Sequence, residues 1–280
     1  MSIQIEIVNT YRPPAPPSPS DAAALLLPTP SYNANFVFPV RPLSSNKLAL
    51  HPFIPALHLP LFQKHASVHP GMFAYLPFGP LPTLQSAAEL YLKRVESDPH
   101  STWFCVVDLT RPPATATDLS SEDNDDGSMS PSEIEKDWHG SFAGIIGLLS
   151  ASASQSQAEI GYLLILPPYQ RTHVTTHACS LLLLYLLDPP SRGGLGLRRV
   201  QWKANAANER SVRAAERLGF AREAVLRWAM VLPQGKEGLD PPPGEEGTGK
   251  GRHTVMLGLC WDDWEAGGRE KVEALIRRER

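Results

Sequence analysis

The chain has 280 residues, 42% of them hydrophobic, which is enough for at least one substantial core in one large domain or two small ones. Its 26 Lys and Arg against 29 Asp and Glu give a formal charge of −3, with no basic excess to neutralise a phosphate backbone, so no nucleic-acid partner is expected. The start, Met1-Ser-Ile-Gln-Ile-Glu, lacks the blocks of a secretory signal, and the longest apolar run, Leu181 to Leu187, is too short to span a bilayer; no membrane contact and a cytoplasmic location, with the nucleus also open, are expected.

Residues 1–35 open with Ile3, Ile5 and Ile7, then pass through a Pro/Ala/Ser stretch, and read as a mostly disordered Pro-rich N-terminal arm. The segment Pro80 to Val95 puts Leu84, Ala88, Tyr91, Leu92 and Val95 on one helical face, and Trp103 to Asp108 is a β-rich run. Residues 111–137 turn to Ser, Thr, Asp, Glu and Pro before Ser141 to Ser150 resumes a strand pattern, which predicts a hairpin with a long acidic loop. Strand Ala158 to Leu166, turn Pro167 to Gln170, helix Thr172 to Leu187 and strand Arg199 to Ala204 follow. A crossover of this kind should make the two strands parallel.

The turn before that helix is the natural place for an anion, because the first helical N–H groups have no internal partner and the helix dipole favours negative charge. Residues Gln170 to Thr175 are therefore candidates to hold a pyrophosphate. In the next helix Asn208 is a good N-cap, Val212, Ala215 and Leu218 form the apolar stripe, and Gly219 stands where a left-handed C-terminal residue is wanted. A second hairpin, Ala224 to Leu232 with His253 to Cys260, carries a long loop at 235–252, and residues 265–280 are expected to form a charged C-terminal helix on the surface, with Val272, Leu275 and Ile276 at helical spacing.

Cys105, Cys179 and Cys260 are widely spaced among apolar neighbours and read as reduced core residues. His173 and His177 have the i, i+4 spacing of a metal pair but no following Glu and no third ligand nearby, so no metal is expected; His65 and His69 read as solvent-facing or substrate-pocket residues.

Glu159-Ile-Gly-Tyr162, Pro168-Tyr-Gln-Arg-Thr172, and Asn205-x-x-Asn208-x-x-Ser211 leading to Arg217-Leu-Gly-Phe220 together resemble the GNAT acetyltransferase superfamily, especially its ribosomal-protein-alanine-acetyltransferase-like branch. The resemblance covers residues 36–264, and 140–232 most strongly. It implies one α/β (α+β) domain: a twisted, mixed, mostly antiparallel sheet, splayed between its fourth and fifth strands and flanked by helices. It implies acetyl-CoA as cosubstrate, its pantetheine beside Leu164 and Ile165 and its pyrophosphate on Gln170, Arg171, Thr172, His173, Val174 and Thr175. Asn208 and Ser211 complete the implied cofactor contacts. The family's usual glycines in Q/R-x-x-G-x-G/A are replaced here by His173 and Thr175.

The implied reaction is direct attack of a primary amine on the thioester, which needs a proton acceptor, an oxyanion contact and a proton for the leaving thiolate. The resemblance offers Glu159 as base, Ser211 or Tyr162 as acid, and the backbone of Leu163 to Ile165 for the oxyanion. Each residue has a plainer alternative: edge carboxylate, capping support or core packing. The acceptor is expected to be a small-molecule amine or a peptide N-terminus, with Ala49 to Gly79 helping to form its pocket, and the protein is expected to be a monomer or homodimer. A catalytically silent module of the same fold, binding acetyl-CoA or a protein partner, is the alternative.

Overall fold

The computed structural model describes residue 12 and residues 18–113 and 138–278. The expected acidic loop lies outside those residues from 114 to 137, as does the N-terminal arm before residue 18 except residue 12. The strands are β1 (Leu43–Ser44), β2 (Leu48–Pro52), β3 (Thr102–Asp108), β4 (Ser141–Ser152), β5 (Gln157–Ile165), β6 (Arg199–Asn205), β7 (Ala221–Val231) and β8 (Gly251–Cys260). They form one sheet in the order β1-β2-β3-β4-β5-β6-β8-β7, antiparallel throughout except for the parallel pair β5–β6. That parallel pair is the expected crossover, joined by a helix.

The helices are α1 (Pro19–Ala24), α2 (Pro55–Ser67), α3 (Leu84–Tyr91), α4 (Val174–Leu187), α5 (Glu209–Leu218) and α6 (Arg269–Arg277). Each sheet face has its own core. On one face Val200, Trp202, Ala204, Val255, Leu257 and Leu259 pack with α4, α5 and α6; on the other Trp103, Cys105, Phe142 and Ile145 pack with α2 and α3. The period-2 alternation of the strands assigns these sets to opposite faces. Helix α4 is buried almost all round, as its continuous Leu181 to Leu187 run requires when a helix is sandwiched between a sheet and another helix.

Three expectations change. Residues 18–35 touch the fold at defined points where the arm was expected to be mostly disordered: Ala22 is fully buried, and the Tyr32 hydroxyl lies 2.5 Å from Glu96 Oε2 and 3.0 Å from the Tyr91 hydroxyl. The C-terminal helix is docked: Val272 and Leu275 are buried, and Arg269 and the Trp264 indole both donate to Asp188 at the end of α4. His65 does not line the cavity described below; it is half-buried against Phe142, and burial lowers its pKa to about 4. Cys105 and Cys179 are buried and Cys260 half-buried, all as free thiols. Among the described residues no helix is long and apolar enough to cross a membrane.

Candidate active site

The parallel pairing of β5 with β6 covers three registers, Gln157↔Arg199, Ala158↔Val200 and Glu159↔Gln201, and then stops. Beyond it β5 stays with β4 as far as Ile165, while β6 stays with β8 as far as Asn205. The sheet therefore opens into a V whose apex is Glu159, between two strand edges with unpaired backbone groups. A register shift inserts an extra residue into β5 between Gly161 and Leu164, with Tyr162 at φ +47°. Such a bulge bends its strand and re-aims the following backbone groups. Gly144 on β4 permits it, since a side chain there would collide with the Leu164 carbonyl oxygen.

At the wide end of the V, the turn Pro167–Tyr169 leads into α4. Gln170 Nε2 donates to the Ile165 carbonyl at 2.9 Å, and Thr172 Oγ1 donates to the Tyr169 carbonyl at 2.6 Å, fixing the loop. Arg111 braces it from the other side, donating to the Pro168 carbonyl with its guanidinium over the Tyr169 ring. Arg171 adopts φ +62°, and its side chain is exposed. His173 stands at the cap of α4 with φ −64° and offers the helix no side-chain bond, and among the described residues the Thr175 and Thr176 N–H groups of the first turn have no acceptor. A glycine is thus not required at His173. Its ring points inward, Nε2 lying 3.3 Å from Oδ1 of buried Asp108.

Glu159 is 7% exposed and accepts from Lys203 Nζ at 2.7 Å. Burial raises its pKa, against the lowering effects of Lys203 and Arg252. Alternation puts Lys203, Asn205, Thr254 and Arg252 on the same face of the sheet as Glu159. On the opposite face, Asn208 caps α5 by accepting from the Ser211 N–H, and the Ser211 hydroxyl oxygen accepts from Trp202 Nε1 at 3.0 Å. Helix α5 ends at Gly219, φ +111°, with the Phe220 N–H returning to Ala215.

Tyr162 is separated from Ser211. Its ring packs against Phe78 and Trp103, its hydroxyl donates to the Arg94 carbonyl at 3.4 Å, and burial raises its pKa. Leu164 and Ile165 are buried along β5, and Val174 is buried at the start of α4.

A cavity of about 800 Å³ adjoins the Glu159 face, lined by Pro70, Tyr75 and Gly79 on one side and by Asn205, Lys236 and Arg252 on the other. The expected Ala49 to Gly79 segment contributes its C-terminal part. The 235–252 loop folds back over the cavity, with Lys236 Nζ donating to the Phe73 carbonyl at 2.8 Å and Leu239 bridging to Gly251. Sequence reasoning missed Lys203 and Arg252. The polar face of β6 and β8 was a usable signal for both, once their register with β5 was known.

A family model described as an acetyltransferase (GNAT) domain matches residues 50–221. Among solved structures the chain is similar to a GCN5-related N-acetyltransferase from Brucella melitensis, at 22% identity over 84% of this chain and 85% of that one, TM-score 0.60. It is also similar to a spermidine N-acetyltransferase from Vibrio cholerae in complex with CoA and spermine, at 14% identity over 79% and 99%, TM-score 0.51. A ribosomal L7/L12 alpha-N-protein acetyltransferase in complex with coenzyme A gives 14% identity over 80% and 99%, TM-score 0.53. At these identities the likeness is one of fold. No curated protein matches the chain.

Proposed function

Since the chain belongs to the GNAT acetyltransferase family, we propose that it transfers an acetyl group from acetyl-CoA to a primary amine, with the V between β5 and β6 as the cosubstrate site. The carrying observation is the end of β5–β6 pairing at Glu159 beside a helix N-terminus whose Thr175 and Thr176 N–H groups have no acceptor among the described residues. Unpaired strand edges suit an extended, amide-containing arm, and a helix N-terminus suits a pyrophosphate. The residues present fit such a ligand: Leu164 and Ile165 along the edge, and Gln170 to Thr175 around the anion, with exposed Arg171 adding positive charge. The spermidine acetyltransferase and the ribosomal-protein acetyltransferase, both bound to CoA on this fold, support the same assignment.

Acetyl-CoA supplies the activated thioester. Glu159 Oε receives the amine proton, directly or through water, and Lys203 holds that carboxylate in place. Among the described residues the Ser211 hydroxyl only accepts, from Trp202 Nε1, which leaves its O–H to donate toward the thiolate. Tyr162 serves packing. Calorimetric titration with acetyl-CoA, paired with free-thiol release across amines and peptides, tests the reading. Binding with turnover of at least one amine is expected; absence of binding, or binding with no turnover on any acceptor, overturns it.

A further inference from the structure

Arg252 lies on β8 two residues before Thr254, on the Glu159 face, and is 7% exposed. Arg252 lines the 800 Å³ cavity, yet among the described residues its side chain makes no hydrogen bond or ion pair, and its buried Nε is without an acceptor. Buried Thr254 Oγ1 is also without a partner. A buried unpaired cation is one of the costlier things a fold can retain. The carboxylate whose charge acts on it, Glu159, is itself engaged by Lys203 at 2.7 Å. The second cation on the cavity wall, Lys236, is taken by a backbone carbonyl, and the carboxylate of Glu237 is exposed on the rim, facing Lys250. The cavity wall thus offers a guanidinium that no carboxylate of the described residues hydrogen-bonds.

We propose that Arg252 binds a carboxylate carried by the acceptor, so that the amine acetylated by this protein belongs to an amino acid or to a peptide N-terminus with an acidic group close by. This rests on the acetyl-transfer reading and names its acceptor class. A guanidinium fork matches a planar carboxylate through two parallel N–H bonds. A phosphate dianion is disfavoured because Glu159 shares this face and would repel the second negative charge. A polyamine would instead place cation against cation. Holding the carboxylate at Arg252 anchors the acceptor on the face where Glu159 waits for the amine proton.

The test uses matched acceptors on the full chain: glycine against glycinamide, and a Ser-Glu-initiated peptide against its Ser-Gln counterpart, with spermidine alongside. The carboxylate-bearing member of at least one pair is expected to show a kcat/KM at least tenfold higher, and the pair that discriminates tells free amino acid from peptide. Arg252→Gln should erase that ratio with acetyl-CoA affinity unchanged, whereas Arg252→Lys should retain part of it. Equal use of both members in both pairs, or an equal loss on both in Arg252→Gln, overturns the proposal. Titrating the CoA complex with N-acetylglycine and N-acetylglycinamide reads the carboxylate site without turnover. The N-acetylated Ser-Glu and Ser-Gln peptides are titrated in the same way; no preference for the acid in either pair sinks the proposal even when acetyl transfer itself is sound, and preserved preference with no turnover indicts the acetyl-transfer reading alone.

Discussion

Glu159 sits under opposing influences, burial pushing its pKa up while the Lys203 ammonium pulls it down, and burial is the larger. A base works deprotonated, so kcat/KM should fall as pH drops through a value above the usual glutamate 4.5, displaced toward neutral by that burial. Glu159→Gln should lower kcat/KM by about a hundredfold or more and remove this acidic limb, with acetyl-CoA binding intact. A pH–rate profile that keeps its limb in the variant would remove Glu159 from the chemistry. Arg171 has a different role, set by its exposed position in the loop before α4. Arg171→Glu should weaken acetyl-CoA binding about tenfold or more, read by calorimetry, and the loss should shrink at high salt because the site is open to solvent. Unchanged affinity would remove Arg171 from the phosphate site. The sequence made both residues visible, since Glu159 and Arg171 each fall within a recognisable motif. Lys203 and Arg252 fall in none, and their meaning arises from register: Lys203 reaches Glu159 because β5 and β6 run parallel, and Arg252 joins them through β8.

At the scale of elements, β5, α4, β6 and α5 were legible because each has a period, a cap or a turn that agrees with its neighbours. Helix α2 was not. Pro55 stands at its first turn and Pro60 inside it, so the segment reads as proline-rich, although Leu59, Phe62 and Ala66 form a buried stripe at helical spacing. Tertiary burial of that stripe outweighs the backbone bond Pro60 cannot make. The entry to α2 depends on an unusual cap, in which His58 Nδ1 accepts from the Ile54 N–H at 2.8 Å. Burial depresses the pKa of His58 to about 3, and likewise that of buried His177 in α4 to about 4. Both are then neutral in the folded state but take up a proton near pH 6.5 when unfolded. Their contribution to stability is complete above 6.5 and is lost progressively as pH falls toward 4, at up to about 1.4 kcal/mol per pH unit for each histidine. Thermal melts should show a Tm that declines from pH 6.5 to 4.5, and His177→Gln should flatten that slope. A Tm independent of pH over this interval would contradict the assignment.

The whole molecule separates what binds from what holds. Helix α4 runs about 21 Å from its N-terminus at the proposed phosphate loop to Asp188, which follows its last residue. At that far end buried Asp188 accepts from the Trp264 indole at 3.0 Å and from Arg269 Nε at 2.9 Å, tying the C-terminal segment to the sheet through α4. The sequence announced the helix at 265–280 but not its anchor, because Asp188 and Arg269 are 81 residues apart and lie in no common motif. Arg269→Met should leave Asp188 buried with its charge unanswered and cost about 2 kcal/mol, less than for a fully buried pair because the Arg269 side chain is 24% exposed. For a chain of this size that is a fall in Tm of about 5 °C. Adding Asp188→Asn removes the stranded charge while leaving an acceptor for Trp264, so the double variant should regain part of the loss. An equal Tm in the single and double variants would show that lost packing of α6, rather than the charge, is responsible. Acetyl-CoA affinity should be unaltered in both variants, since neither touches the loop at the opposite end of α4.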